Sequence, residues 1–183
     1  MHKRLAEFFI IDVFVCIDTI YRYLKNIHNP IEFVSNEVVF KIVTHELEIV
    51  GEATNNLLKD TSIQHLVKPA WRDVVNFRNV ISHEYFGLNF EEIFDIVTTE
   101  VPLFEQELLV LAQQIKHTEN FVLALVETKK DLSRINRFEA IKCLQRLEQT
   151  LGSVDFYNYI CNNSVQDVIP AQAGIQAQIE SFC

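Results

Sequence analysis

Residues 71–86 read WRDVVNFRNVISHEYF, in which apolar side chains recur every three or four positions. An α-helix turns by about 100° per residue, so these side chains fall on one arc, from about 200° to about 340° around the axis when Arg78 is set to zero. The arc holds Val74, Phe77, Val80, Ile81 and Tyr85. This spacing predicts a helix over residues 70–86 that buries the arc in a core. Pro69 suits its first turn.

The other side of this helix is polar. Six side chains lie there, namely Arg72, Asn76, Arg78, Asn79, Ser82 and His83. Lysine and glutamate are the usual residues on a helix face that only has to be soluble, and neither occurs among the six. Their composition therefore makes this face a candidate functional surface.

Two further helices are predicted before this one. The first covers residues 5–27, packs one apolar face on a core, and is stopped by Asn29-Pro30. The second covers residues 36–58, with Ser35 or Asn36 as its N-cap. Residues 59–68 between it and Pro69 form a polar connector.

The second helix carries two features of its own. Gly51 lies inside it, where glycine costs about 1 kcal/mol relative to alanine, and close approach of a neighbouring helix would account for it. His45, Glu48 and Glu52 share one face at helical spacing. One histidine and two carboxylates without further nearby ligands do not predict a metal site, so we expect none. Glu52 is expected to hold a polar contact near residues 71–86.

A fourth helix is predicted over residues 90–115. Asn89 is its N-cap, Gly87 ends the helix before it, and Pro102 should kink it or divide it into two pieces. The chain has only 4 glycines and 4 prolines, and no stretch alternates as a strand does. The predicted fold class is therefore all-α, an antiparallel four-helix bundle with a C-terminal helical extension.

The extension begins after the bundle domain, which we assign to residues 1–116. Residues 121–151 predict two helices that meet near Asp131-Leu132-Ser133, within an extension that covers residues 117–163. Residues 164–183 predict a poorly packed, disordered tail. Six of the chain's 16 basic residues lie in this extension. Two interpretations stay open, a surface that helps to bind RNA and a helical hairpin that packs on the bundle or lengthens a dimer contact.

Composition excludes several classes of protein. A net charge of −9 does not indicate a general nucleic-acid binder, so any RNA contact must be local. The cysteines form no CxxC pair, which argues against a zinc site or a disulfide framework; they are Cys16, Cys143, Cys161 and Cys183. Glu7 and Asp12 interrupt the apolar N-terminal stretch, which argues against export and membrane insertion. We expect a cytoplasmic protein.

The polar face contains groups that can cleave RNA. Histidine titrates near neutral pH, so His83 can move a proton at a ribose 2′-hydroxyl or a leaving oxygen. The guanidinium of Arg78 can stabilise charge on a phosphate. The two residues lie about 140° apart on an ideal helix, so they converge only if the helix end distorts or a two-fold dimer brings both copies together. The plainer alternative is a surface ion pair at Arg78 and a helix C-terminus capped by His83.

The ordered motifs carry a family resemblance. Arg78, Asn79, His83 and Tyr85 form the pattern Arg-Asn-x3-His-x-Tyr, preceded by Trp71 and by the sequence IVGEA at residues 49–53. Over roughly residues 4–116 the chain closely resembles the HepT-like branch of the HEPN superfamily. This resemblance implies a helical bundle that dimerises and places both Arg-x4-His motifs in one cleft. It also implies a ribonuclease toxin paired with a minimal nucleotidyltransferase antitoxin.

The resemblance also assigns roles to single residues. It implies that Arg78 and His83 are catalytic, that Asn79 supports them, and that Tyr85 is the tyrosine to which the antitoxin adds AMP. Further candidates for RNA contact on the same face are Arg72, Asn76 and Ser82. The family core does not include residues 117–183.

These observations predict an endoribonuclease toxin that acts as a homodimer on RNA such as tRNA or mRNA, without metal or cofactor. The alternative from another class is a non-catalytic partner that presents nucleotide or substrate to a separate nucleotidyltransferase. A third alternative is a decayed toxin, because VIPAQAGIQ at residues 168–176 resembles translated intergenic repeats.

Overall fold

The computed structural model describes residues 4–83 and 87–152, apart from the side chain of His83, and every regular element in this part is helical. The predicted all-α class is confirmed. The α-helices are α1 (Ala6–Leu24), α2 (Pro30–Ser35), α3 (Glu37–Lys59), α4 (Arg72–His83), α5 (Phe90–Asp95), α6 (Val101–Ile115), α7 (Glu119–Arg134) and α8 (Phe138–Leu151). A 3₁₀ turn, Pro69–Trp71, precedes α4, and a π turn, Ile96–Glu100, joins α5 to α6.

Helix α1 lies at the centre of the core and packs against α3, α6, α7 and α8. The sequence predicted one buried face, but the buried residues lie around most of the helix; among them are Ile10, Ile11, Val13, Cys16, Ile17 and Ile20. The prediction was wrong on this point because the extension covers the side of α1 that a four-helix bundle would leave in water.

Asparagine caps define several helix starts. The Asn36 side chain accepts a hydrogen bond from the Val39 backbone N–H at 3.2 Å, which begins α3 one residue from its predicted start. Asn89 caps α5 as predicted. Asn29-Pro30 ends one helix but also begins another, because Asn29 caps α2 and proline is tolerated in a first helical turn. The short α2 was therefore missed, and α1 ends three residues before its predicted end.

Pro102 divides the predicted fourth helix, as expected. Proline has no N–H to donate to the carbonyl four residues earlier, and its ring clashes with that carbonyl. The π turn directly before α6 absorbs the disruption, and Pro102 lies in the first turn of α6. Thr98 and Thr99 donate their hydroxyls to the carbonyls of Phe94 and Asp95, at 2.8 Å and 2.6 Å.

The start of α4 is anchored to α6. Trp71 is 2% exposed, and its ring and that of Phe104 form a T-shaped pair with centroids 5.1 Å apart. Its indole N–H donates to Glu107 at 2.7 Å, and the Lys68 ammonium donates to the other oxygen of Glu107 at 2.8 Å. These contacts fix where the candidate functional face begins. The predicted end of this helix, residues 84–86, lies outside the described residues.

The extension packs on α1. Leu125 and Leu144 are fully buried, the Cys143 thiol donates to the Phe14 carbonyl at 3.6 Å, and Arg146 pairs with Asp18. The helices α7 and α8 thus share one hydrophobic core with α1, which fits the second interpretation of the extension. The division into domains at residue 116 stays a prediction, and the tail over residues 164–183 lies outside the described part.

The turn between α7 and α8 falls later than predicted. The sequence placed it near Asp131-Leu132-Ser133, whereas α7 continues to Arg134 and α8 begins at Phe138. Asn136 adopts φ 57°, a left-handed conformation that asparagine tolerates better than most residues. This residue lies in the turn itself, between the end of α7 and the start of α8.

The basic residues of the extension are mostly neutralised. Five of the six pair with carboxylates: Lys129 with Glu148, Lys130 with Glu127, Arg134 with Asp131, Lys142 with Glu139 and Arg146 with Asp18. Such pairing argues against the first interpretation, a basic surface for RNA.

Two other expectations concern the cysteines and the membrane. Cys16 and Cys143 are buried free thiols, and Cys161 and Cys183 lie outside the described residues. Burial raises the pKa of Cys143 to about 12. Among the described helices, none combines the length and the apolar character that crossing a bilayer requires.

We expect Leu144→Ala to lower the free energy of unfolding of the whole chain by about 2–5 kcal/mol, the usual effect of removing a buried leucine side chain. The matched control is Arg134→Ala, because Arg134 is exposed and pairs within its own helix; it should change this free energy by less than about 0.5 kcal/mol. Denaturant unfolding followed by circular dichroism measures both. A separate early transition of the extension would contradict a shared core.

Glu107→Gln should destabilise the chain by about 1 kcal/mol at neutral pH, because it removes the charge that Lys68 contacts. Hydrogen bonds from Lys68 and Trp71 lower the pKa of Glu107 below its ordinary value of 4.5. The folded chain therefore releases this proton more readily than the unfolded chain. Stabilisation is complete above about pH 4.5 and is lost as the pH falls through the lowered pKa. Thermal unfolding of both proteins across this pH range measures the difference, and a difference independent of pH would refute the assignment.

Candidate functional site

Helix α4 lies at the edge of the described bundle, where it packs on α3 and on its own preceding 3₁₀ turn. Ile81 is 1% exposed, and Val74 and Phe77 are partly buried against the core, as predicted. Val80 is 44% exposed, so its predicted place in the core is wrong. One neighbouring helix is too narrow to cover the whole apolar arc. Tyr85, the last member of the arc, lies outside the described residues.

The polar face of α4 is accessible to solvent. Its exposed residues are Arg72, Asn76, Asn79 and Ser82. Arg78 is half-buried, with 31% of its side chain exposed. The structure therefore presents the predicted face, with the arginine set between the surface and α3. The side chain of His83 lies outside the described residues, so its convergence with Arg78 stays a prediction.

Arg78 is held at both of its terminal nitrogens. Nη2 donates to the Glu52 carboxylate on α3, and Nη1 donates to Asn79 Oδ1 at 2.8 Å. The expected polar contact of Glu52 near this helix is therefore present. The surface ion pair that the sequence left open as the plainer alternative for Arg78 is present too.

The contact depends on a close approach of the two helices at Gly51. A Cβ atom at position 51 would overlap Arg78 Cβ and would lie 2.8 Å from Arg78 Cγ and 3.3 Å from the Val74 carbonyl oxygen. Only a residue without a side chain fits there. This explains a glycine in the middle of a 23-residue helix, at a position where close approach was expected.

A second contact joins the same helices one turn away. Ser82 Oγ donates to Glu48 Oε1 at 2.9 Å, and His45 Nδ1 lies 3.8 Å from Glu48 Oε2. Sequence reasoning missed the Ser82–Glu48 contact. The available signal was spacing, because Glu48 and Glu52 are four residues apart, as are Arg78 and Ser82, and residues four apart lie on one helix face.

Two carboxylates of α3, those of Glu48 and Glu52, are thus directed at α4. Within residues 4–83 and 87–152, no group of three or more His, Cys, Asp and Glu side chains is arranged to hold a metal ion. Glu48 and Glu52 contact Ser82 and Arg78. The chemistry that the described face offers is hydrogen-bond donation and one anchored positive charge.

Known proteins share this part of the chain. The profile of the family described as "Ribonuclease HepT-like" matches residues 15–111, which include α3 and α4. "Putative RNase TTE0752" of Caldanaerobacter subterraneus subsp. tengcongensis is 33% identical over 85 residues, or 46% of this chain and 75% of that protein. "Putative RNase MJ1380" of Methanocaldococcus jannaschii is 30% identical over 107 residues, or 58% and 96% of the two chains.

A further relative carries the family's name. "Probable ribonuclease HepT" of Thermococcus cleftensis is 29% identical over 93 residues, which cover 44% of this chain and 84% of that protein. No solved structure gives a significant match. The extension from α7 onward lies beyond the residues that the family profile covers.

Gly51→Ala should lower the free energy of unfolding by about 1–3 kcal/mol, because the new methyl group overlaps Arg78 and forces α4 away from α3. The effect opposes the gain in helix propensity, which is about 1 kcal/mol. The matched control is Gly87→Ala, since a Cβ there would meet nothing within 4 Å. Thermal unfolding compares the three proteins. A Gly51→Ala variant more stable than the parent by the full gain in helix propensity, about 1 kcal/mol, would show that the helices do not touch at this position.

Proposed function

Because the chain belongs to the ribonuclease HepT-like family, we propose that it is an endoribonuclease whose reaction takes place at the polar face of α4. The observation that carries this proposal is that Arg78 is both fixed in position and accessible to solvent. Its guanidinium is fixed by Glu52 and Asn79, yet 31% of the side chain is exposed. A guanidinium has five N–H donors, so three remain for a phosphate after these two contacts.

The proposed reaction is an attack of the ribose 2′-hydroxyl on the adjacent phosphodiester. The 2′-oxygen forms a bond to phosphorus, the bond from phosphorus to the 5′-oxygen breaks, and the products are a 2′,3′-cyclic phosphate and a free 5′-hydroxyl. His83 removes the proton of the 2′-hydroxyl or protonates the leaving oxygen. Arg78 stabilises the negative charge that builds up on the phosphate. Because the guanidinium supplies the positive charge, neither step calls for a metal ion.

We propose that the active form is a homodimer. The partly uncovered apolar arc of α4 supports this, since Val80 is 44% exposed beside the polar face. A two-fold axis near α4 would bring two copies of His83 and Arg78 into one cleft. One histidine could then accept a proton while the other donates one.

The proposed biological setting is a toxin–antitoxin pair in the cytoplasm. The partner would be a minimal nucleotidyltransferase that adds AMP to Tyr85. Tyr85 is seven residues from Arg78, two helical turns if the helix continues. An added phosphate group near Arg78 would compete with RNA for the guanidinium.

The test is cleavage of mixed tRNA and mRNA by the purified protein in EDTA. We expect the parent protein to leave 2′,3′-cyclic phosphate ends, and Arg78→Ala and His83→Ala to cleave at least about 100-fold more slowly. Arg134→Ala is the matched control, because it removes an exposed arginine from α7, and it should cleave normally.

Two outcomes would contradict the proposal. Cleavage by the parent only when Mg²⁺ is added would refute metal independence. If the parent and both variants are folded, dimeric and equally inert, the chain is a binding partner of a nucleotidyltransferase or a decayed toxin.

A further inference from the structure

Helices α3 and α4 are joined by a two-step arrangement that we call the carboxylate ladder. Its steps are Glu52 with Arg78 and Glu48 with Ser82. The glutamates are one turn apart on α3, and their partners are one turn apart on α4 in the reverse order. The ladder therefore fixes the register of two antiparallel helices, at the place where Gly51 lets them touch.

The carboxylate of Glu52 is held from its own helix as well. Asn56 Nδ2 donates to the Glu52 carbonyl at 2.8 Å and lies 3.3 Å from Glu52 Oε1. On the other side, Asn79 accepts from Arg78 at 2.8 Å. The order of contacts is Asn56, Glu52, Arg78 and Asn79. The guanidinium is therefore contacted on both sides, by Glu52, which Asn56 also contacts, and by Asn79.

A carboxylate is a costly neighbour for an arginine that must attract RNA. Two opposite charges a few ångströms apart cancel much of the field that a distant phosphate would feel. In a chain of net charge −9, a neutral or basic residue at position 52 would give tighter binding of RNA. Besides joining α3 to α4, the carboxylate sets the direction of the guanidinium at the expense of the strength of its attraction for RNA.

We propose that Glu52 is a positioning residue for RNA cleavage, which holds the Arg78 guanidinium in its productive direction and weakens RNA binding in doing so. The inference rests on the proposed ribonuclease function. Glu48 supports the same arrangement through Ser82, the residue that directly precedes His83 in the chain. A carboxylate that merely blocked Arg78 would have the opposite effect on the rate when removed.

Three variants separate the effect of the Glu52 charge, the effect of the length of its side chain, and general damage to the fold. Glu52→Gln removes the charge and keeps the length of the side chain. Glu52→Asp keeps the charge and shortens the reach by one carbon–carbon bond, about 1.5 Å. Glu37→Gln is the control, because Glu37 is a carboxylate on the same helix, is 81% exposed, and pairs with Lys41 away from α4.

The readouts are kcat on an RNA oligonucleotide and the Kd for its 2′-deoxy analogue, which cannot be cleaved by this reaction. We expect Glu52→Gln to lower kcat at least about 10-fold, because a small misplacement of a catalytic group is costly, and to tighten the Kd about 3- to 10-fold at low salt. Glu52→Asp should lower kcat similarly and leave the Kd within about twofold. Glu37→Gln should change neither. General damage would not lower kcat and tighten binding together.

A second measurement does not depend on activity. In the NMR spectrum of the free protein, two fixed contacts should slow rotation of the Arg78 guanidinium and separate its Nη resonances, which Arg78→Lys identifies by their loss. In the Glu52→Gln variant the guanidinium should rotate faster, so that these resonances merge into one averaged signal. If the parent cleaves no RNA, the proposed function fails and with it a role of Glu52 in cleavage, and this spectrum still decides whether Glu52 fixes the guanidinium. Averaged resonances in the parent, or a Glu52→Gln variant that cleaves as fast as the parent or faster, would overturn the inference.

Discussion

The contact between α3 and α4 at Gly51 is the constraint on which the candidate site depends. With no side chain at position 51, the first side-chain atoms of Arg78 lie directly against the backbone of α3. This short separation lets a serine reach a glutamate across the two helices at 2.9 Å. A wider crossing would leave Ser82 and Glu48 in water and would free the guanidinium of Arg78. The glycine therefore sets both the packing of α4 and the direction of its charged side chain.

Stability and the candidate site are located in different parts of the fold. Helix α1 is surrounded by α3, α6 and the extension, and its buried side chains supply much of the core. Helix α4 lies at the edge, attached through Trp71 just before its start and through Ile81 and the ladder in its second half. Its polar face does little for the core. Arg78 and Glu52 also join α4 to α3, so a substitution at either position is read for function together with a measurement of unfolding.

Sequence reasoning succeeded where the signal is local. The asparagine caps at Asn36 and Asn89, the division at Pro102 and the polar face of α4 each depend on residues within one or two turns. It failed where the burial of a residue depends on a helix that is distant in the sequence. The burial around α1 depends on the extension, and the exposure of Val80 depends on which helix covers it. In the site, residues on one helix were grouped correctly, whereas the pairing of Glu48 with Ser82 required the register between two helices.

Because the chain is acidic, pairing of Arg78 with Glu52 also restricts the arginine to one of several carboxylates that it could contact. The chain has 25 acidic and 16 basic residues, and most of the arginine and lysine side chains of the extension are already paired with carboxylates. A long, flexible arginine on such a surface would pair with any nearby carboxylate, in several conformations. Binding of a substrate would restrict it to one conformation, and that restriction costs side-chain entropy. Pairing with one anchored carboxylate removes that freedom before RNA arrives. An acidic surface can thus hold a single arginine in one direction, provided that the helices carrying the pair cannot move apart, and Gly51 supplies that condition.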